Sequence, residues 1–213
     1  MATSPAAAGT PSGDDRLEVD VGALPAGGAY PWLTACVVPR PIAWVSTLAA
    51  DGVVNLAPHS FFSVASAEPP VVCFTSVGSK DTVRNVRATG EFVVSLVPRS
   101  LASQANVTGT DFPPDVDEMA AAGLNGRPSS RVAPPQVAGS PVSLECVSEG
   151  EHSFGASVVV FGRVVHLSVA REVLADDGLP DIARLDPVSR LGRNQWAGLG
   201  EPFDLVRPTW TGS

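Results

Sequence analysis

Lys80, Asp81 and Thr82 bring an ammonium, a carboxylate and a hydroxyl to the head of KDTVRNVRATGE. With Asp81 or Thr82 as cap, this segment predicts a short helix, Val83 and Val86 on one face and Gly90 at its stop. The free backbone N–H groups of a first helical turn point at whatever anion lies beyond it. Lys80 adds a flexible cation and Thr82 a hydroxyl donor, so the trio suits a terminal phosphate. Lys80, Arg84, Arg87 and Arg99 outnumber Asp81 and Glu91 between positions 80 and 99, a local positive excess in an acidic chain. A capped, solvated surface helix explains the same spacing, and the residues alone leave both readings open.

Two further groups have chemical character. Arg40-Pro41 precedes an apolar run interrupted by Ser46 and Thr47. Arg40 can meet an anion at a strand entrance, and because neighbouring strand residues face opposite ways, one of the two hydroxyls at most faces a given pocket. Asn55-Leu56-Ala57-Pro58-His59-Ser60-Phe61-Phe62 is compact, polar and aromatic. It can offer backbone groups to a planar heterocycle while Phe61 or Phe62 packs beneath, or Asn55 and Ser60 can simply stabilise a turn.

Hydrolytic and dinucleotide signatures do not emerge. His59, His152 and His166 have no metal-ligand spacing, no serine sits in a GxSxG elbow, and no GxGxxG joins a strand to a helix. His152, in GEHS, reads as a solvated turn residue, and His166, in VVHLSV, as a partly buried hydrogen-bonding residue. Cys36, Cys73 and Cys146 read as three buried thiols, with neither a disulfide framework nor a metal site, and make a reducing, cytoplasmic compartment the default.

The elements that must position these residues are mostly strands. Residues 42–49 and 53–56 flank the turn signal Asp51-Gly52 and predict a hairpin, 71–76 and 92–97 predict further strands, and 142–148 with 157–169 predict a long pair bent at Gly162. Short helices are expected at 100–107 and 115–122, and a surface loop over 126–141. Helices separate strands only occasionally, so the expected fold is mainly β: an antiparallel, Greek-key-like barrel with short helical inserts. No repeat or linker divides the 213 residues, so one domain over 16–213 is expected, after a small, polar Pro/Gly-bearing tail at 1–15 without signal-peptide character. The formal charge of -8 argues against nucleic-acid or acidic-membrane binding, and no apolar run is long enough to span a bilayer as a helix.

Taken in order, Arg40-Pro41-Ile42-Ala43-Trp44-Val45-Ser46-Thr47, Gly52, the 55–62 run, Pro69-Pro70, Lys80-Asp81-Thr82, Asn85 and Thr89-Gly90-Glu91-Phe92-Val93-Val94 resemble the flavin reductase-like, FMN-binding split-barrel family. The likeness continues through Ser140-Pro141, Leu144-Glu145-Cys146, residues 162–166 and Arg190-Leu191-Gly192, covering about residues 30–196. The resemblance implies FMN at a homodimer interface. It implies that Arg40, Ala43, Trp44, Val45, Ser46 and Thr47 line the flavin. Asn55, Ala57, Pro58, His59 and Ser60 would contact its ring or ribityl chain, and Lys80, Asp81 and Thr82 would hold the phosphate. His166, Arg193 and Trp196 are candidates for the substrate side. The family often has Arg-Leu-Gly-Gly followed by a tyrosine, where this chain has Arg193 and then Trp196.

The function implied is an NAD(P)H-dependent flavin reductase, with hydride transfer to flavin N5 and no catalytic side chain, because the flavin itself supplies the chemistry. Its partners would be a small-molecule substrate or free flavin and an oxygenase that uses the reduced product. The alternatives are a flavoprotein oxygenase acting on a small organic substrate, a non-enzymatic FMN-binding electron relay, and a barrel in which deazaflavin or haem replaces FMN.

Overall fold

The computed structural model describes residues 16–211, so the segment read as an N-terminal tail lies outside the described residues. The strands are β1 (Arg40–Pro41), β2 (Ala43–Leu48), β3 (Val54–His59), β4 (Phe62–Ser66), β5 (Val71–Val77), β6 (Glu91–Leu96), β7 (Gly126–Arg127), β8 (Gln136–Val137), β9 (Val142–Phe154), β10 (Ser157–Val169), β11 (Val188–Arg190) and β12 (Trp196–Gly198). The helices are α1 (Ala29–Cys36), α2 (Asp81–Thr89), α3 (Ala102–Val107), α4 (Glu118–Ala121) and α5 (Ile182–Leu185).

Seven strands form one sheet in the order β3-β2-β6-β9-β10-β5-β4, while β1-β11-β12 and β7-β8 form two small sheets. Every paired neighbour is antiparallel. Three hairpins supply β2-β3, β4-β5 and β9-β10, and α2 carries the chain from β5 across to β6, between β2 and β9. That crossing produces the Greek-key-like order expected of the split barrel.

Alternation along the strands divides the core in two. Ala43, Val45, Phe74, Phe92, Val94, Cys146 and Val160 meet Val83 and Val86 of α2 inside the barrel. Ile42, Trp44 and Leu56 face the other way and pack with Ala105, Met119, Val137 and Val188. Strand β2 is therefore covered on both faces. The α2 stripe of Val83 and Val86 is the one anticipated from their spacing, and Gly90 closes the helix at φ 73.

Gly162 marks the anticipated bend, since the β9–β10 register shifts between Phe161 and Gly162. A Cβ there would lie 2.1 Å from Cζ of Phe92, so only glycine lets that ring reach the strand. Strand β9 continues to Phe154 and pairs His152 with Val159, which moves the turn past the predicted GEHS to Gly155. His152 remains exposed, as expected of it.

Other expectations are corrected. Asp117 caps α4, so that helix is shorter than 115–122. The loop at 126–141 contains β7 and β8 and is pinned to the barrel: Ser46 Oγ donates to Pro135 O at 2.5 Å and Ala133 N to Glu91 Oε2 at 2.8 Å. Of the three free thiols, Cys36 is exposed and Cys73 half-buried; only Cys146 is buried, and its burial pushes its thiol up to about 12.

Candidate functional site

Strand β5 ends at Val77 and the chain enters α2 through Lys80, which occupies the N-cap with an extended backbone and no capping hydrogen bond from its side chain. Asp81 is the first helical residue rather than the cap, and its carboxylate pairs with Arg84 at 2.6 Å. The Thr82 hydroxyl is turned inward to Asn55 and His59. The N-cap thus leaves the first-turn N–H groups without a side-chain acceptor. At α4 and α5, Asp117 and Asp181 close the equivalent position.

A cavity of about 370 Å³ opens at this helix start. Asn55, Ala57, Pro58 and His59 from β3, then Ser60 and Phe61, form one side; Thr75, Ser76 and Val77 from the end of β5 form another. Lys80, Asp81 and Thr82, residues 108–112, Tyr30 and Glu118 complete the lining. Lys80 is the one cation in that lining, and its Nζ lies 2.8 Å from Oδ1 of Asp111 at the exposed mouth.

Beneath the cavity lies a buried polar network. In the Asn55 amide orientation that satisfies all its neighbours, the oxygen accepts from Leu56 N and Thr82 Oγ1, while the nitrogen donates to Glu118 Oε1 at 3.3 Å. Leu56 N also donates to Glu118 Oε2 at 2.9 Å. Burial pushes the Glu118 carboxyl up, the backbone N–H of Leu56 opposes this, and the charges of Asp81 and Asp117 add to the rise. His59 Nε2 lies 3.4 Å from Thr82 Oγ1, with its ring 4.8 Å from that of Phe74. Burial lowers the His59 imidazole to about 4, with Lys80 contributing to the lowering, so the ring is neutral at pH 7. It can offer a hydrogen bond there without adding charge.

The structure brings together eight of the cofactor candidates: Asn55, Ala57, Pro58, His59, Ser60, Lys80, Asp81 and Thr82. It holds the other six away from the cavity. Ala43, Trp44, Val45, Ser46 and Thr47 are fully buried because β2 is covered on both faces. Trp44 Nε1 donates to Thr108 Oγ1 at 2.8 Å, Asn85 Nδ2 donates to Thr47 Oγ1 at 3.1 Å, and Ser46 holds the 126–141 loop. Arg40 spends its donors on the carbonyls of Thr34, Val37 and Leu191, tying α1 to the turn between β11 and β12. Those three bonds make it a structural clamp, and its buried Nε has no partner among the described residues.

Among the substrate-side candidates, Trp196 lines a second cavity of about 270 Å³ with Tyr30, Ile42, Pro58, Ser60, Asn106, Gly109 and Arg190. Arg193 lines neither cavity; it is exposed and holds φ 58, the left-handed conformation that glycine adopts without cost. That conformation explains why a second glycine suits this position. His166 also lies elsewhere, on the barrel's outer face, with Nδ1 3.3 Å from Glu145 Oε1. Sequence reasoning missed Glu118, Tyr30, Thr75, Asp111 and Arg190, which come from separate parts of the chain.

An antiparallel split barrel with a polar cavity at an open helix start is thus the class of this protein. The flavin reductase like domain matches residues 35–182. An uncharacterized protein of Halalkalibacterium halodurans is 42% identical over 192 residues, covering 84% of this chain and 91% of that protein. Nitrilotriacetate monooxygenase component B from Bacillus cereus superimposes with a TM-score of 0.85 at 32% identity, over 89% of this chain and 98% of that one. The 2-nitrobenzoate 2-nitroreductase NbaA of Pseudomonas fluorescens follows at 0.83 and 28% identity, over 92% and 98%. The chain belongs to the flavin reductase-like family.

Proposed function

We propose that the protein binds FMN in the cavity at the α2 start and acts as an NAD(P)H-dependent flavin reductase. The observation that supports this most directly is the pairing of Lys80 with an uncapped helix start, a site suited to the phosphate of a mononucleotide. The rings of Tyr30, Phe61 and Pro58 offer apolar contact to a heterocycle, and neutral His59 and Thr82 offer polar groups without charge. Bound FMN would supply the hydride chemistry, taken up at N5; the chain's own residues bind it, orient it and restrict water around it. The likeness to a monooxygenase component B supports delivery of reduced flavin to an oxygenase partner.

A second reading, direct reduction of a small organic acceptor at the bound flavin, is favoured by the second cavity, which shares Tyr30, Pro58, Ser60 and Gly109 with the first. The likeness to a nitroreductase agrees with it. We read the protein as a homodimer: Tyr30, Leu33 and Val37 on and beside α1, and Phe203, Leu205, Val206 and Trp210 near the C-terminus, expose apolar surface that a second copy would cover. Light scattering at working concentration that gives one chain mass would refute the dimer. Three free thiols fit a cytoplasmic setting, and among the described residues no helix is long and apolar enough to cross a membrane.

The test of function is the visible spectrum of protein loaded with FMN and freed of excess, followed anaerobically on adding NADH and then NADPH. Retained flavin that bleaches with either nucleotide supports the reductase. Retained flavin that neither nucleotide bleaches would refute NAD(P)H dependence and favour an electron relay.

A further inference from the structure

We infer that the second cavity is a binding site for a small planar aromatic acid, with Arg190 taking the carboxylate and Trp196 and Tyr30 flanking the ring. Its chemistry is the reverse of the first cavity's. The first sets one cation, Lys80, against Asp81, Asp111 and Glu118; in the second, Arg190 is the one ionised side chain.

Arg190 is poised rather than consumed. Its guanidinium carbon stands 5.1 Å from the centre of the Trp196 ring, and Nη2 donates to the Arg193 carbonyl at 3.1 Å. Those two contacts fix the plane of the fork while leaving most of its five N–H donors for a ligand. Among the described residues no carboxylate pairs with it, whereas Arg84, Arg87, Arg99 and Arg163 each have one.

Arg190 also lies directly opposite Arg40 in the β1–β11 ladder. Like charges facing each other across two strands are destabilising, and an anion bound at Arg190 would offset that repulsion. Arg40 gives three of its donors to carbonyls and is buried, lining neither cavity, so it is not the group that meets the anion. It contributes potential, and Arg190 contributes the contact.

The remaining lining selects the rest of the ligand. Tyr30, Trp196 and Pro58 provide aromatic and apolar edges, and the remaining exposed surface, with Ser60 and Asn106 among its groups, is mostly polar. About 270 Å³ falls below the roughly 300–1,000 Å³ typical of pockets for drug-sized ligands, so one ring with an acid group fits better than a dinucleotide. Gly109 stands in the wall shared with the first cavity and presents no side chain there. The acid would therefore lie beside the occupant of the first cavity. Where its ring also carries a nitro group, that group could take two electrons and two protons from reduced flavin and become a nitroso group with release of water, and only this acceptor role rests on the function proposed above.

The test is calorimetric titration of benzoate into the flavin-free protein and the FMN-loaded protein, wild type against Arg190→Gln, Arg190→Lys and Lys80→Ala. Thermal unfolding of each variant confirms that it is folded. Benzoate should bind the wild type, weaken at least about tenfold in Arg190→Gln, recover in part in Arg190→Lys, and be unchanged in Lys80→Ala in the flavin-free protein, where no FMN can be lost. Cyclohexanecarboxylate, with the same charge and no aromatic ring, should bind more weakly. No binding to the wild type, equal binding to folded Arg190→Gln, or loss in Lys80→Ala instead would overturn the site. Binding to flavin-free protein that fails to slow anaerobic reoxidation of reduced FMN by 2-nitrobenzoate would overturn only the acceptor role.

Discussion

Two buried glutamates on the outer face of the barrel behave oppositely. Glu118 is 6% exposed and lines the cavity; Glu145 is 0% exposed and lies beneath the 126–141 loop. Burial pushes both carboxyls up. For Glu145 that push is outweighed by the backbone N–H groups of Ser130 and Arg131, the Gln136 amide and His166, which hold it below the usual carboxylate range. For Glu118 the backbone N–H groups of Leu56 and of Glu118 itself oppose burial, and the Asn55 amide reaches it at 3.3 Å, but Asp81 and Asp117 stand nearby and it stays raised. Burial alone does not set the charge state; the donors aimed at the oxygens and the charges beside them do. The carboxylate ringed by close donors anchors a loop, and the one beside two aspartates borders the cavity at the α2 start.

The largest effect should come from removing the anchor. Glu145→Ala leaves the Ser130, Arg131 and Gln136 donors without their acceptor and should cost about 3 kcal/mol or more in urea unfolding. A loss under about 1 kcal/mol would break the contrast between the two glutamates. Because its folded pKa is lowered, the Glu145 contribution is present above the unfolded value and is lost as pH falls through the folded one.

His59 gives the next effect. With its folded pKa lowered from 6.5 to about 4, it contributes fully above pH 6.5, and up to about 3 kcal/mol is lost as pH falls from there towards 4. His59→Gln should flatten the stability profile across that window; an unchanged slope would contradict a buried neutral ring.

Glu118 should respond with the opposite sign. Its raised pKa makes the native state lose stability as pH rises from the unfolded value through the folded one. Glu118→Gln should therefore be within about 1 kcal/mol of the wild type at pH 7, or more stable. It should also tighten FMN binding a few-fold by removing a carboxylate beside the phosphate site. Destabilisation as large as that of Glu145→Ala would erase the distinction.

The same contrast shows what a sequence can display. Lys80, Asp81 and Thr82 are contiguous and head an amphipathic helix, so the open helix start was legible, although the cap fell to Lys80. The Glu118–Leu56 bond spans 62 positions, and no local pattern announces it. Strand β2 suggested a lining hydroxyl, but it is covered on both faces, which buries both Ser46 and Thr47. Helix α1 was invisible because Tyr30 and Leu33 remain exposed and it buries only Thr34, which leaves no inward apolar stripe to read. The β2–β3 hairpin and the β9–β10 pair were legible from turn signals and alternation, which are local, whereas β4 and its hairpin with β5 were not anticipated.

The central claim is that the α2 start binds the phosphate of FMN, and the most direct measurement is a paired fluorescence titration of FMN and riboflavin into wild type and the Lys80→Ala/Thr82→Ala double variant. The wild type should bind FMN at least about tenfold more tightly than riboflavin, and the double variant should bring FMN towards the riboflavin value. Equal affinity for the two flavins in the wild type, or an FMN dissociation constant unchanged in the double variant, would contradict the assignment.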